Sequence, residues 1–320
     1  MAKLTITALQ TFITTYILAA KQAGTYSPNV TSIDNMVDKI GRQVMLDGDF
    51  QDKLPELEGQ DLPLGKTIEE YFIDLVLPTI KDPTGANTMA PAAPTFESAA
   101  YSYPFTPMTA KTTVHENMYE ISASDTEVVT NIVAKIIERL ENSKSLTRYF
   151  EKKQLLANLI AKVEAATNAT SMINTMAKPV DTATGEAFIK QVKADVETAS
   201  FANEGANLAN TLIGAAPRMT LFVLKGVMPS IEVDTQAGAF NLDKIGIPAD
   251  VKVVDSFGDN ATNVYAILCD PRGVKLHPTY RRTRRQENAD GDFDNYVKHW
   301  QDTGFISKYT FVKVFKPASA

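Results

Sequence analysis

The sequence has 320 residues, of which 44% are hydrophobic and 22% are charged, and its formal net charge is -6 at pH 7. These proportions are typical of a globular protein and argue against a chain that is mainly disordered. The negative charge argues against broad, non-specific binding of duplex DNA, which requires a basic face. A single cysteine, Cys269, excludes a disulfide within the chain.

The N-terminal quarter of the sequence contains short helical patterns separated by turn residues. Apolar residues at helical spacing in residues 4–20 predict an amphipathic helix that packs on protein. This is preferred to a membrane segment, because the stretch is shorter than the roughly 20 residues that span a bilayer. A second helix is predicted from Ser32 to Gly48, and a third over residues 66–77 before Pro78. These helices offer little surface for a core, so the segment is predicted to lie as an arm over other structure.

An extended, nearly uncharged segment follows. Residues 84–110 carry one charged residue, Glu97, and four prolines that exclude a helix. Alternating residues predict two antiparallel strands, 99–106 and 111–122, around a turn near Pro107. The segment also holds four aromatic residues, which are Phe96, Tyr101, Tyr103 and Phe105. A free monomer would expose them as an apolar patch, so we expect another chain to cover them.

The strongest helical pattern of the sequence comes next. Ser124 and Glu127 match a capping box, and an apolar stripe runs through residues 128–140. A break is predicted at residues 143–145, followed by a second helix over 146–166. The hydrophobic stripe predicts that one side of both helices is buried.

The C-terminal half reads as a further helix and several strands. An amphipathic helix is predicted over residues 185–202. Continuous apolar runs at 219–226, 251–257 and 263–270 predict strands of a sheet that is covered on both faces. A final alternating strand is predicted over 305–315.

Motifs of enzymes and metal sites are missing from the sequence. No histidine has a carboxylate or cysteine at metal-ligand spacing, and no dinucleotide-binding, P-loop or nucleophile-elbow motif is present. Cys269 is interpreted as a small buried hydrophobic residue and His277 as a turn or interface residue. No catalytic, cofactor-binding or metal-binding residue is therefore predicted.

A cluster of charge is the clearest polar feature. Four arginines, at positions 281, 282, 284 and 285, are followed by acidic residues at positions 287, 290, 292 and 294. Neighbouring charges of opposite sign favour arginine–carboxylate pairing, including pairs across a subunit boundary. Plain solvated surface and a nucleic-acid contact are the alternatives.

The order of these elements, together with three blocks of sequence, resembles the major capsid proteins of tailed bacteriophages. The blocks are NTMAPAAPTFESAAYSYPFTP at 87–107, the segment 231–259 with Ala239, Phe240 and Asn241, and the strand pair 266–301 that ends near Trp300. The resemblance covers about residues 84–316 and is strongest to small podovirus-type phages.

The resemblance implies an α+β protein with the Hong Kong 97-type capsid fold. Its implied parts are an N-terminal arm, an extended hairpin loop, a peripheral domain with a spine helix, an axial sheet domain, and strands that return to the peripheral domain. Their expected bounds are 1–83, 84–122, 123–184, 185–292 and 293–320.

The function implied is that of a structural subunit, not an enzyme, which assembles into the pentamers and hexamers of an icosahedral shell around packaged DNA. The expected location is the virion, after assembly in the host cytoplasm. The expected partners are other copies of the chain, a portal and DNA in non-specific proximity, without a membrane. A separate scaffolding protein is also expected, because the residues before the hairpin leave no room for the long scaffolding segment of some relatives.

Contacts between subunits are expected at the aromatic and charged clusters. The candidate residues are Phe96, Tyr101, Tyr103, Phe105, Arg281, Arg282, Arg284, Arg285, Asp290 and Asp292. Two alternative functions stay open: the shell of an encapsulin-like compartment, and a cytosolic α/β enzyme whose hairpin is a lid.

Overall fold

The computed structural model describes part of the chain. The described residues are 50, 52–63, 67–73, 80, 96–101, 103–115, 126–216, 218–228, 247–258, 263–288, 291 and 293–317. They all belong to one compact unit, Phe50–Ala320. The helices predicted at 4–20 and from Ser32 lie outside the described residues.

Three α-helices, two 3₁₀ helices (Pro55–Leu57 and Pro271–Gly273) and eleven strands are described over their full length. The helices are α1 (Thr126–Ala165), α2 (Ala169–Met172) and α3 (Thr182–Ala199). The strands are β1 (Ile68–Ile73), β2 (Phe96–Tyr101), β3 (Tyr103–Pro104), β4 (Met108–His115), β5 (Ile173–Thr175), β6 (Thr220–Leu224), β7 (Asp250–Val254), β8 (Ala266–Cys269), β9 (Val274–Asn288), β10 (Phe293–Ile306) and β11 (Val312–Lys316). No helix in the described part of the chain is long and apolar enough to cross a membrane.

Helix α1 is one continuous element of 40 residues, so the predicted break at 143–145 is wrong. The polar residues there do not interrupt the helix because their hydroxyls find partners on it. Ser143 Oγ donates to the Arg139 carbonyl at 3.0 Å, and Thr147 Oγ1 donates to the Ser143 carbonyl at 2.9 Å. The predicted helix at 185–202 is confirmed, and it begins earlier because Asp181 and Thr184 form a capping box.

The five-stranded sheet has the order β5-β11-β8-β6-β7 and is covered on both faces, as predicted. On one face, Phe222 and Ile267 share a core cluster with Leu155, Leu156 and other residues of α1. On the other face, side chains of the same strands share a second cluster with α3, including Leu221, Val223, Leu268, Phe315, Phe188 and Val192. The alternation along each strand therefore feeds two apolar cores, one on each side of the sheet.

A four-stranded sheet is built around β10. Strand β9 pairs with β10 along its whole length, from Phe293↔Asn288 to Ile306↔Val274, with a register shift between Gln301 and Asp302. Strands β3 and β4 lie end to end along the other edge of β10. We call the part of this sheet formed by β4, residues 281–288 of β9 and residues 293–300 of β10 the distal sheet.

Two secondary-structure predictions near the N-terminus of this unit are wrong. Residues 68–73, predicted as helical, form β1, in which buried and exposed side chains alternate with a period of two. Strand β1 pairs with β2 as an antiparallel ribbon, from Ile68↔Tyr101 to Ile73↔Phe96. The predicted pairing of 99–106 with 111–122 is also wrong, since β3 and β4 both pair with β10 instead.

The predicted strand at 305–315 is divided in two. Its first residues end β10, and β11 begins only at Val312, after a turn in which the Tyr309 N–H donates to Ser307 Oγ at 3.0 Å. The strands predicted at 219–226, 251–257 and 263–270 are confirmed as β6, β7 and β8.

Two adjacent valines of β7 test which face of that strand is buried. Val254 is fully buried, whereas Val253 is 47% exposed. We expect Val254→Ala to lower the free energy of unfolding by about 2 kcal/mol, because it removes buried methyl groups and leaves a cavity. The same change at Val253 should cost less than about 0.5 kcal/mol. Urea denaturation measures both, and equal losses would contradict the assigned faces of β7.

Candidate assembly surfaces

The ribbon of β1 and β2 lies on the body of the subunit through one face. The ring of Phe72 stacks on Tyr309 with centroids 4.4 Å apart, and Tyr101 meets Phe305 edge-on at 5.2 Å. Glu70 accepts hydrogen bonds from the Tyr101 hydroxyl at 2.9 Å and from Ser307. A two-stranded ribbon is marginal by itself, so these contacts are what holds it in place.

The opposite face of the ribbon is apolar and exposed. Tyr71, Ile73 and Phe96 are each about 60% exposed, at 61%, 61% and 60%. The rings of Tyr71 and Phe96 stack on one another with centroids 5.7 Å apart. Three large apolar side chains side by side on one strand pair form a patch of the kind that marks a protein–protein contact. We call this set the ribbon patch.

The four aromatic residues predicted as intersubunit contacts lie in different surroundings. Phe96 is in the ribbon patch, whereas Tyr101 is buried against its own subunit. The hydroxyl of Tyr103 accepts a hydrogen bond from Lys162, whose ammonium also lies 4.6 Å from the ring centroid. The Phe105 N–H donates to the Asp302 carbonyl at 2.9 Å. A role of these residues between subunits stays a prediction.

The strand register of β9 sorts the four arginines into two pairs. Arg281 and Arg285 pair across the sheet with Trp300 and Tyr296, on the face that also carries Lys298, which is bonded to Glu141 of α1. Arg285 contacts Asp294 at 2.8 Å and Glu287 at 2.9 Å. Arg281 lies 3.7 Å from Glu58 and 3.9 Å from Asp61. Arginine–carboxylate pairing therefore occurs within the subunit for this pair.

Arg282 and Arg284 lie on the other face of the distal sheet and are exposed. Their cross-strand neighbours are His299 and Val297. Strand β4 adds Lys111, also exposed, next to Val297. Asp290 and Asp292, predicted as partners of these arginines, lie outside the described residues.

A buried network of charges joins α1 to two other segments. Arg148 Nε donates to Asp302 at 3.0 Å, and its other end lies 2.7 Å from Glu58. Lys152, which is fully buried, bonds to Asp52, to Glu58 at 3.0 Å and to the Leu54 carbonyl at 3.0 Å. Buried charges are tolerated only when they are paired in this way. The network fixes β10 and the segment around the 3₁₀ turn Pro55–Leu57 onto the helix.

Sequence reasoning missed this network. The sequence does contain one indication of it. Arg148, Glu151 and Lys152 lie at helical spacing before Leu155 and Leu156, so these charged residues fall on the apolar stripe of α1. Long charged side chains on a buried stripe need partners from other segments, which the sequence does not identify.

Glu151 occupies an unusual place in the network. Glu151 is 6% exposed and Asp302 is 1% exposed. Neither carboxylate oxygen of Glu151 nor Oδ1 of Asp302 has a hydrogen-bond partner among the described residues. Burial, and then the neighbouring Asp302 carboxylate, raise the pKa of Glu151 to about 8. Burial beside Asp302 therefore favours the neutral form of the Glu151 carboxyl over its charged form.

No group of three or more His, Cys, Asp or Glu side chains among the described residues could hold a metal ion. Burial raises the pKa of the Cys269 thiol to about 12, so the thiol is not a ready nucleophile. His277 Nδ1 lies 2.8 Å from the Gln60 carbonyl and has a structural contact.

The protonation of Glu151 predicts a pH dependence of stability. Because the pKa of this group is raised above 4.5 on folding, its contribution is fully present below about pH 4.5 and is lost as the pH rises through about 8. Glu151→Gln keeps a neutral side chain at this position. The unfolding temperature of the variant should therefore fall less than that of the wild type as the pH rises from about 4.5 to about 8. Glu197→Gln, an exposed glutamate of α3, is the control and should follow the wild type. An unchanged profile for Glu151→Gln would contradict the assignment.

Comparisons with solved structures establish the fold. The capsid structure of Staphylococcus phage Andhra superposes with a TM-score of 0.64 at 12% sequence identity, covering 86% of both chains. The mature capsid of bacteriophage PhiM1 gives a TM-score of 0.57 at 12% identity, covering 86% of this chain and 90% of that one. The predicted α+β fold of the Hong Kong 97 type is confirmed.

Sequence comparisons establish the family. The major capsid protein of Bacillus phage B103 is 22% identical over 290 residues, and that of Bacillus phage GA-1 is 24% identical over 290 residues. Both alignments cover 84% of this chain, but 60% and 57% of those relatives, so the chain spans about 60% of their length. The family model of the Phi29-like phage major capsid protein matches residues 19–315. The chain thus belongs to the Phi29-like phage major capsid protein family.

Proposed function

We propose that this chain is the structural subunit of a bacteriophage head, which assembles with its own copies into the pentamers and hexamers of an icosahedral shell around packaged DNA. The observation that carries the proposal is the ribbon patch. One face of the ribbon is fastened to its own subunit, and the other presents Tyr71, Ile73 and Phe96 to solvent. An apolar patch of this kind is a liability in a monomer and a contact surface in an assembly.

Membership of the family supports this proposal over the two alternatives. An encapsulin-like compartment would use the same fold for cargo, and the matching relatives are major capsid proteins of Bacillus phages. For an enzyme with a lid, the ribbon would have to move over a set of reactive groups. Among the described residues, Phe72 and Glu70 instead hold the ribbon to the turn at Ser307 and Tyr309, and Tyr101 packs on Phe305 of β10. We therefore assign a structural role, not catalysis.

Further partners and the location complete the proposal. The virion shell is the proposed location, after assembly in the host cytoplasm, with a portal and a separate scaffolding protein as partners. The acidic net charge of -6 favours packaged DNA that lies near the shell without adhering to it. The proposed domains are the arm 1–83, the extended loop 84–122, the peripheral domain 123–184, the axial domain 185–292 and the returning strands 293–320.

Electron microscopy with sedimentation of the purified chain over a concentration series tests the assembly. Rings, sheets or closed shells support the proposal, because head-to-tail contacts between identical subunits close into such particles. A stable monomer or dimer at every concentration, with and without the scaffolding protein of the same phage, would overturn it.

The ribbon patch can be tested by paired substitutions. Tyr71→Ser with Phe96→Ser should leave the subunit folded, because both side chains are mostly exposed, and should lower the yield of shells by at least about tenfold, since the loss recurs at every contact. Val180→Ser with Phe201→Ser is the matched control, with exposures of 69% and 66% elsewhere on the subunit. Circular dichroism checks folding and sedimentation measures the yield. Equal yields from both double variants would remove the ribbon patch from the assembly contacts.

A further inference from the structure

We propose that the buried carboxyl groups of Glu151 and Asp302 form a proton-dependent latch between α1 and β10. The latch is closed while one of the two carboxyls is neutral, and it opens when both are charged. It belongs to the single subunit, so it does not depend on the proposed function.

The two carboxyls meet where distant parts of the chain pack together. Glu151 belongs to α1, and Asp302 follows the register shift of β10. Both residues are buried, and each has a carboxylate oxygen without a hydrogen-bond partner among the described residues. The pair therefore places acid against acid in the interior, where a second charge beside the first is costly.

The cations nearest the pair are engaged by other acids. Arg148 Nε donates to Asp302 at 3.0 Å, and the same guanidinium lies 2.7 Å from Glu58. Lys152 also pairs with Glu58, at 3.0 Å. In the described part of the chain, no ion pair joins Glu151 to a cation. A charge on Glu151 thus has no partner of its own in the closed arrangement.

Other charged groups face the pair from each element packed around it. Burial, and then the charges of Arg281 and Arg148, lower the pKa of Lys144. Because Lys144 loses its charge more readily than a free lysine, the experiment has to separate it from Glu151. The charged groups of the surroundings are Glu141, Lys144, Arg148 and Lys152 on α1, Lys275 and Arg281 on β9, Lys298 and Asp302 on β10, and Asp52 and Glu58 on the segment 52–58.

The direction of the switch follows from the sign of the pKa shift. Burial, and then the Asp302 carboxylate, raise the pKa of Glu151 from 4.5 to about 8. The neutral form, which tolerates burial beside Asp302, is favoured below about pH 8. As the pH rises through that value the charged form becomes favoured, and contact with water stabilises it. The latch therefore opens at alkaline pH.

The ladder between β9 and β10 is interrupted at the latch. Asp302 pairs with Pro278, which has no backbone N–H to donate, and Thr279 is the unpaired residue of the bulge. The hydroxyl of Thr279 donates to the Gln301 carbonyl at 2.9 Å. With fewer backbone bonds to β9 at this point, β10 depends here on its side-chain contacts with α1.

Two further ties confine the opening to a short part of β10. On one side, Lys298 bonds to Glu141 of α1. On the other, Gly304 allows close approach of the helix, since a Cβ there would lie 2.6 Å from Leu155 Cδ1. Residues 299–303 are therefore the segment that the latch controls.

Hydrogen exchange of the full chain, followed by mass spectrometry, tests the latch. Exchange is measured at about pH 6 and at about pH 9, and each rate is divided by the intrinsic rate at that pH. In the wild type, we expect protection of the amides of 299–303 to fall at least about tenfold between the two conditions, since the pKa of Glu151 lies between them. Amides of β6, in the other sheet, should keep their protection.

Two variants assign this response to one carboxyl. Glu151→Gln has a neutral side chain and should hold the protection of 299–303 within about twofold at both pH values. Glu197→Gln removes an exposed glutamate of α3 and should show the fall seen in the wild type. If circular dichroism shows that Glu151→Gln is unfolded, Glu151→Met, neutral and of similar length, replaces it with the same expectation.

Three outcomes would overturn the proposal. Equal protection of 299–303 at both pH values in the wild type would show that no latch opens. A fall of the same size in Glu151→Gln would assign the response to Lys144 or another group of the surroundings. An equal fall in the amides of β6 would show unfolding of the whole subunit instead of a local opening.

Discussion

The guanidinium of Arg148, buried between Asp302 and Glu58, is the interaction on which the arrangement of the described fold depends. It joins α1, strand β10 and the segment 52–58, which lie far apart in sequence. Removing one partner of a buried ion pair costs roughly 3–5 kcal/mol, because the other charge stays in the interior unpaired. These charge pairs and the close packing of Leu155 at Gly304 together fix where the helix lies along the strand.

The register shift between Gln301 and Asp302 divides β10 into two parts that differ in burial. Residues 302–306 are all buried, and Gly304 allows close approach of the helix, since a Cβ there would lie 2.6 Å from Leu155 Cδ1. Beyond the shift, toward Phe293, buried side chains are interspersed with partly exposed ones. An irregularity of this kind bends a strand and changes its twist. The hairpin can therefore belong to the core at one end and present a surface at the other.

The sequence predicted those elements whose pattern is local and strong. The stripe of α1, the capped helix α3 and the apolar runs of β6 to β8 needed no knowledge of their neighbours. Strand β1 was misread because the pair Glu69 and Glu70 is equally compatible with a helix, and its period of two becomes evident only against Tyr309 and Ser307. The pairing of β4 with β10, more than 150 positions away, also left no local signal.

The residues of the candidate surfaces were likewise predicted only in part from the sequence. Composition identified Phe96 and the arginine cluster, but only the register shows that the arginines face opposite ways and that Tyr101 is buried. Nothing in the sequence indicates that Glu151 and Asp302 lie together, because their proximity depends on how the helix lies against β10.

Helix α1 also has a mechanical consequence. Its 40 residues contain neither glycine nor proline, and a helix of that length extends over about 60 Å. Its C-terminal half is packed on the five-stranded sheet, while Glu141 and Arg148 tie it to β10. A force applied along this side of the subunit is therefore transmitted to the sheet through one continuous helix. Because the helix is a single hydrogen-bonded element, its two ends are coupled mechanically without an intervening loop.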